Sequence, residues 1–316
     1  MGSLPSFGTH RDSGRSPAGP AIRSWLRSAS SNDRPNIRGP AAPADDWARV
    51  VPRPRLDVRF LGHATLQLDL GGIRVLTDPF LRSSLGPLER HGPPPDPRAL
   101  EDIDVVVISH AHADHFDPVS LAALEGRPLI VVPRGLGRLA QRSARGDVVE
   151  VSAGDRVSFG ALTIAAVPAR HWMSPRGPRA QPVGYLLEGE ARVYFAGDTG
   201  PFDEMRMLAG NLDLALLPVW TWGPHLGPGH LGPRAAAEVL RDISPAVAVP
   251  IHWGTLYPRR LHRVWGAPLA EPGDRFASHA ARLAPAVDVR VLRPGDATSI
   301  DLVGRASPRP EQFVDP

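Results

Sequence analysis

Three histidines and one aspartate fall within the six positions from His110 to His115. They directly follow the apolar run 105–108, which we predict to be a β-strand because all four of its residues are β-branched. Imidazole nitrogens and carboxylate oxygens suit zinc, and they also bind iron or manganese. His110 and His112 can face one ion, whereas Asp114 and His115 can serve a second. The pattern predicts a metal site where the strand ends, and a polar loop with solvated histidines is the competing interpretation.

Three further candidate ligands stand in the same context, each where an apolar run stops. His171 follows the run 165–167, Asp198 follows 193–196 and His252 follows 246–251. Strand ends on one edge of a sandwich converge, so these residues can meet the histidine-rich loop in space. The complete set would hold two ions about 3.5–4 Å apart. The predicted assignment is His110, His112 and His171 on the first ion, Asp114, His115 and His252 on the second, and Asp198 bridging both.

The elements that must position these side chains can be predicted from short apolar and alternating segments. In the first half we predict strands at 57–61, 64–70, 73–77, 105–108, 129–132, 148–151, 156–159 and 162–167, helices at 119–124 and 135–141, and a Pro-rich loop at 83–97. In the second half we predict strands at 183–187, 192–196, 214–218, 246–251 and 289–292, and helices at 233–242 and 273–283. This order predicts an α+β fold with two facing sheets and outer helices, a four-layer αββα sandwich.

The motif His-x-His-x-Asp-His at 110–115 resembles the hallmark of the metallo-β-lactamase superfamily, and the resemblance extends over about residues 55–300. Flanking motifs are similar to the branch that contains N-acyl-phosphatidylethanolamine phospholipase D and the UlaG-type lactonases. They are Gly-His-Ala-Thr at 62–65, Thr-Asp-Pro at 77–79, Arg-His-Trp at 170–172, Gly-Asp-Thr-Gly at 197–200 and His-Trp-Gly-Thr at 252–255. The last two favour the phospholipase side. The resemblance implies the αββα fold and a dinuclear zinc hydrolase site.

The implied reaction is hydrolysis of a phosphodiester by a hydroxide that bridges the two metal ions. Two cations lower the pKa of bound water, so no serine or cysteine nucleophile is required. A UlaG-type lactonase is the alternative hydrolase. An iron-loaded oxidoreductase on the same scaffold and a non-catalytic binding module are the alternatives from other classes. The loops at 93–95 and 220–225 depart from the phospholipase pattern where a substrate wall would lie, so the substrate is either a small molecule or a lipid.

Asp114 and His230 are the candidate catalytic residues. His230 precedes a predicted helix, and it could donate a proton to the leaving group or cap that helix.

His63 could lie at the floor of the site or pack in the core, and Asp78 could orient a ligand imidazole or form a turn. Three tryptophans could either line the pocket or pack in the core: Trp172, Trp220 and Trp222. The histidines expected at the surface are His10, His91, His225, His262 and His279.

Composition narrows the function classes further. All 36 basic residues are arginine, the formal charge is only +3, and no arginine cluster is interleaved with aromatics, so we expect no nucleic-acid partner. The chain has no cysteine, which excludes disulfides, thiolate zinc sites and cysteine nucleophiles. It contains no apolar run long enough for a membrane span and no signal-peptide core, which predicts a soluble cytoplasmic protein.

Segments rich in Pro, Ser, Gly and Arg flank the predicted hydrolase domain at 53–306. We predict a disordered arm at 1–52 and a flexible tail at 307–316. Within the arm, residues 22–27 could form a short amphipathic helix that rests on the domain or on a membrane surface.

Overall fold

The computed structural model describes residues 54–173, 178–223 and 225–302. The predicted arm, its segment 22–27 and the predicted tail lie outside these residues. Within them, two large β-sheets and one small sheet form the framework of the chain.

The first large sheet comes from the first half of the chain, together with one strand from its far end. Its strands are β1 (Arg55–Gly62), β2 (Thr65–Leu70), β3 (Ile73–Thr77), β6 (Val105–Val107), β7 (Leu129–Pro133), β8 (Val148–Val151) and β17 (Ala297–Asp301), in the order β17-β1-β2-β3-β6-β7-β8. Gly71 and Gly72 both adopt positive φ, as the tight turn between β2 and β3 requires. Strands β3, β6, β7 and β8 are parallel, so their carboxyl ends meet at one edge.

The second large sheet comes from the second half of the chain. Its strands are β9 (Arg156–Phe159), β10 (Leu162–Pro168), β11 (Val183–Glu188), β12 (Arg192–Phe195), β13 (Leu214–Pro218), β14 (Val247–Ile251) and β16 (Asp288–Val289), in the order β16-β14-β13-β12-β11-β10-β9. Strands β12, β13 and β14 are parallel. Their carboxyl ends therefore also share one edge.

The two large sheets face each other across the main hydrophobic core. Successive residues of a strand point to opposite faces. Val105 and Val107 of β6 therefore lie in the core between the sheets, together with Phe195 of β12. Val106 points the other way, into a cluster with Leu121 on the outer side of the first sheet.

Helices cover both outer faces. Helices α1 (Pro118–Ala123) and α2 (Gly137–Ser143) lie over the first sheet, and α3 (Pro233–Ile243), α4 (Ala267–Ala270) and α5 (Pro272–Leu283) lie on the side of the second. Proline stands in the first turn of α3, where its missing N–H needs no partner, and Ser244 ends the helix in a left-handed conformation. The order helix, sheet, sheet, helix confirms the predicted α+β sandwich. None of the described helices is long and apolar enough to cross a membrane.

Three details differ from the sequence prediction. The strand predicted at 289–292 is confined to Asp288–Val289. Strand β17 was not predicted, because its residues are mostly polar and its pairing with β1 joins positions far apart in the sequence. The predicted loop at 83–97 instead contains β4 (Ser84–Leu85) and β5 (Leu88–Arg90), which form a small sheet with β15 (Leu256–Pro258).

Candidate metal centre

The structure brings all seven predicted ligands together at the edge where the parallel strands of both sheets end. We call this set the rim cluster: His110, His112, Asp114, His115, His171, Asp198 and His252. The three from the second sheet follow strands β10, β12 and β14, and the other four occupy the loop after β6. Five of the seven residues are buried, and the side chain of His171 is buried as well, so only His112 is half-buried.

Three imidazoles form the first half of the rim cluster. The Nδ1 atom of His112 lies 3.0 Å from Nε2 of His110 and 3.0 Å from Nε2 of His171. These are the three histidines assigned to one ion from the sequence. Their converging nitrogens form a group suited to a metal ion.

The second half contains Asp114, His115 and His252. The Nε2 atoms of His115 and His252 lie 3.0 Å apart. Oδ2 of Asp114 is 3.6 Å from Nε2 of His115 and 3.7 Å from Nε2 of His252. These three residues were predicted to share the other ion.

Asp198 stands between the two halves. Its Oδ2 lies 3.2 Å from Nε2 of His252 and 3.4 Å from Nε2 of His115. The same oxygen is 3.9 Å from Nε2 of His171 and 4.0 Å from Nε2 of His110. Its other oxygen, Oδ1, is buried and has no hydrogen-bond partner among the described residues. Asp198 therefore has the position expected of a bridging carboxylate.

Hydrogen bonds outside the rim cluster fix how its imidazoles point. Nδ1 of His115 donates to Oδ2 of Asp78 at 2.7 Å. Ser109 also donates to Asp78, through its backbone N–H and its hydroxyl, and the hydroxyl accepts from Nδ1 of His110 at 2.9 Å. Nδ1 of His171 donates to the carbonyl of Gly229 at 2.9 Å. With these tautomers, which follow from the hydrogen-bond network, Nε2 of His110 and Nε2 of His171 both face Nδ1 of His112, and Nε2 of His115 faces Nε2 of His252. A cation would stabilise nitrogens that converge in this way.

The charges of the site are also suited to a cation. Burial raises the pKa of the Asp198 carboxyl, but the imidazoles of His252 and His115 outweigh burial and hold that pKa well below its usual value. Burial lowers the pKa of His115, but the carboxylates of Asp198, Asp114 and Asp78 raise it well above normal. No arginine forms an ion pair with these three aspartates within the described part of the chain. Bound metal ions would take the place of the proton that His115 otherwise holds, so the donor set fits divalent cations.

The backbone is strained at the same edge. His63, Asp78 and His252 all have positive φ, at 59°, 32° and 61°, although none is glycine. The backbone N–H of His252 donates to the carbonyl of His63 at 2.7 Å, which ties the ends of β14 and β1 together. Such strain is characteristic of functional sites, where the surrounding structure holds a side chain in one required position.

Comparison with known proteins supports the same interpretation. Residues 73–253, which include the whole rim cluster, match the family described as the beta-lactamase superfamily domain. A UPF0173 metal-dependent hydrolase of Deinococcus radiodurans is 33% identical over 255 residues, covering 78% of this chain and 100% of that protein. The chain belongs to the metallo-β-lactamase superfamily, in its UPF0173 metal-dependent hydrolase family.

Two other proteins are similar to this UPF0173 protein. An uncharacterized protein of Mycobacterium tuberculosis is 34% identical over 234 residues, or 68% of this chain but only 62% of the relative, so the chain spans less than two-thirds of that relative's length. The structure of Igni18, a metallo hydrolase from Ignicoccus hospitalis, superposes with a TM-score of 0.59 at 23% identity, covering 78% of this chain and 98% of that chain. The structural match confirms the metallo-β-lactamase fold. The finer resemblance to the phospholipase D and UlaG branch stays a prediction.

Two more histidines of the UPF0173 chain contact the carboxylates of the rim cluster. Nε2 of His63 lies 2.9 Å from Oδ2 of Asp114, so His63 lies at the buried floor of the site. Nε2 of His230 is 3.4 Å from Oδ2 of Asp198, while its Nδ1 faces the carbonyls of Gly227 and Pro228. Burial lowers the pKa of His230, but the hydrogen bond to Asp198 outweighs it and raises that pKa. The Gly-His-Ala-Thr motif was the sequence signal for His63.

A pocket of about 550 Å³ opens onto the rim cluster of this UPF0173 protein. Its polar floor includes His112, Asp114, Asp198 and His230, and its apolar walls include Leu85, Leu88, Trp172 and Trp222. Residues 221–223 and His225 contribute to the wall, as expected for this loop, but the other wall comes from the β4–β5 hairpin and not from 93–95. Trp220 packs against the core of the second sheet instead. His225, expected only at the surface, lines the pocket.

Proposed function

We propose that this chain is a dinuclear, zinc-dependent hydrolase of a small substrate that carries an apolar group next to the scissile bond. The observation that carries the proposal is the apolar pocket that ends on converging imidazoles and carboxylates. In this proposal His110, His112 and His171 hold one ion, and Asp114, His115 and His252 hold the other. Asp198 contacts both.

Bound divalent ions would supply an activated water and polarise the oxygen of the scissile group. The protein's own part is to hold the donors in place before the ions bind. Asp78 and Ser109 orient His115 and His110, and Gly229 orients His171. His230 reaches the pocket floor with Nδ1–H donating to backbone carbonyls. The raised pKa of the imidazole favours a second proton on Nε2, which Nε2 can donate to the leaving group. His63 fixes the carboxylate of Asp114.

The pocket lining favours a carbonyl substrate such as a lactone or an ester. The chain has no lysine, and the described residues that line the pocket include no arginine. Among these described residues, an anionic phosphodiester would therefore find no cationic side chain except histidine outside the metal site. Trp172 and Trp222, exposed by 59% and 43%, offer broad apolar surfaces to an acyl or aryl group. The volume is also typical of sites for small molecules.

A phosphodiesterase is the second candidate, because two ions bridged by one carboxylate also suit in-line displacement at phosphorus. Iron loading on the same donors is the third, since imidazole and carboxylate ligands bind iron as well. The phosphodiester could belong to a small molecule or to a lipid.

The test is an activity panel on the full chain, stripped with a chelator and reloaded with zinc or with iron. The panel contains alkyl lactones, aryl esters and bis-p-nitrophenyl phosphate. We expect zinc-dependent turnover of a lactone or an ester that Asp114→Ala abolishes. Faster turnover of the phosphodiester would replace the carbonyl assignment with the phosphodiesterase. A zinc-loaded chain inert towards the whole panel would contradict the proposal.

A further inference from the structure

A second group of metal-binding side chains lies on the small third sheet, outside the rim cluster. Glu89 of β5 and His91 just after it are two positions apart, so they lie on the same face. His262 reaches them from the 3₁₀ turn Leu261–Arg263. We call these three residues the hairpin cluster. Both histidines were expected at the surface, but they are half-buried.

The three side chains point their ligand atoms at one another. Nε2 of His91 and Nδ1 of His262 each lie 3.6 Å from Oε1 of Glu89. All the ligand atoms lie within 4.8 Å of one another, and the two imidazole rings meet edge to face with their centroids 4.7 Å apart. Both nitrogens are buried, and neither has a hydrogen-bond partner among the described residues.

These distances fit a shared cation better than direct contacts. A separation of 3.6 Å is too long for a hydrogen bond between nitrogen and oxygen. Zinc–ligand bonds of about 2.0–2.1 Å in a tetrahedral site place neighbouring ligand atoms about 3.3–3.4 Å apart. Two imidazoles and one carboxylate are also a recurrent ligand set for zinc, with water completing the coordination. The buried, unpartnered nitrogens are thus spaced as ligands of one ion.

The position of the hairpin cluster gives such an ion a structural task. Strand β5 pairs with β15, and the backbone N–H of His91 donates to the carbonyl of Thr255 at 2.7 Å. The β4–β5 hairpin that carries Glu89 also supplies Leu85 and Leu88 to the pocket wall. An ion held by all three side chains would fasten this wall to the chain segment that follows His252.

We propose that Glu89, His91 and His262 form a further divalent-cation site that takes zinc and holds the β4–β5 hairpin in place. This site is independent of the proposed hydrolysis. Its three donors come from two segments about 170 positions apart in the sequence, so the ion acts as a cross-link between them.

The test is a zinc count on the full chain, stripped with a chelator, reloaded at micromolar free zinc and passed through a desalting column. We expect His262→Gln to bind one zinc per chain fewer than the wild type. Glu89→Gln should show the same loss. The second variant keeps the test valid if one of the two folds poorly, and circular dichroism checks the folding of both. The matched control is His279→Gln, because His279 lies on α5 outside both clusters and should leave the count unchanged.

A second arm separates this site from the proposed catalytic one. The triple variant His110→Ala, His115→Ala and Asp198→Ala removes two of the four proposed ligands of each rim ion, so it should keep one zinc, and adding His262→Gln should remove it. The loss of this last zinc is expected even if the rim cluster binds no zinc. Failure of the proposed function can therefore be told apart from failure of the hairpin-cluster site. Equal zinc counts for the wild type, His262→Gln and Glu89→Gln would overturn the proposal.

Discussion

The rim cluster and the hairpin cluster both combine imidazoles with carboxylates, but they hold them very differently. In the rim cluster, His110, His115 and His171 each donate Nδ1–H to a fixed acceptor, so the ligand nitrogens point inward before any ion binds. In the hairpin cluster the side chains of His91, Glu89 and His262 are 19%, 32% and 34% exposed. The structure describes no hydrogen bond that orients them. The difference separates a preorganised reaction centre from a site that an ion itself would complete.

The largest expected effect concerns the carboxylate that joins the two halves of the rim cluster. Asp198→Ala should lower kcat/KM by at least about 10³-fold, because it removes a ligand placed to contact both ions. Steady-state kinetics with zinc counting measure this effect. The matched control is Asp203→Ala, an exposed aspartate that should retain wild-type activity. If the kcat/KM of Asp198→Ala stayed within tenfold of the wild-type value, the rim cluster would no longer be distinguished from the hairpin cluster as a reaction centre.

The next prediction tests preorganisation directly. Asp78→Asn weakens the acceptor that orients His115, so zinc affinity at the rim cluster should fall by about 10–100-fold. Competition with a chromophoric chelator gives the affinity, with Asp203→Asn as the control. Unchanged affinity would mean that the rim cluster is no better organised by its surroundings than the hairpin cluster.

A smaller effect is expected in the pocket that opens onto the rim cluster. Trp172→Ala removes an exposed indole from the wall and should raise KM for an apolar substrate about tenfold, equivalent to about 1.4 kcal/mol, with little change in kcat. Met207→Ala, a change at an exposed residue outside the pocket lining, is the control. A fall in kcat with unchanged KM would assign Trp172 to the chemistry instead of to binding.

The smallest expected effect is on how the folding stability of the metal-free chain depends on pH. Burial lowers the pKa of His171 to about 4 and that of His63 to about 3, against about 6.5 when unfolded. Each therefore contributes stability that is present above about pH 6.5 and is lost as the pH falls towards the folded pKa. The raised pKa of His115 acts in the opposite sense and offsets part of this loss.

Urea unfolding of the chelated chain should accordingly give a lower midpoint at about pH 5 than at about pH 7. His63→Gln, which has no imidazole to titrate, should reduce the difference. An equal or higher midpoint at the lower pH would show that the buried imidazoles do not control acid stability.

Much of the rim cluster could be predicted from the sequence because its ligands obey a local rule. His171, Asp198 and His252 each follow a buried strand. Strands β12 and β14 belong to the parallel block, and β10 runs in the same direction because two antiparallel pairings separate it from β12, so all three strands end at one edge. The spacing of His110, His112, Asp114 and His115 needs only the loop after β6. Most strands could be predicted for the same reason, since each one is a short apolar run.

What the sequence did not reveal depends on contacts between distant segments. The pairing of β17 with β1 and of β15 with β5 joins residues far apart in the chain, and β17, β15 and β5 carry no strong local pattern. For the same reason His91 and His262 could not be paired by spacing. The identity of the second pocket wall, the β4–β5 hairpin, follows from this long-range pairing as well.

The most direct test of the central claim is a crystal of the zinc-loaded chain measured on both sides of the zinc absorption edge. The account predicts two anomalous peaks inside the rim cluster, about 3.5–4 Å apart and both next to Asp198. A map with no peak among those seven side chains, recorded from catalytically active crystals, would contradict it.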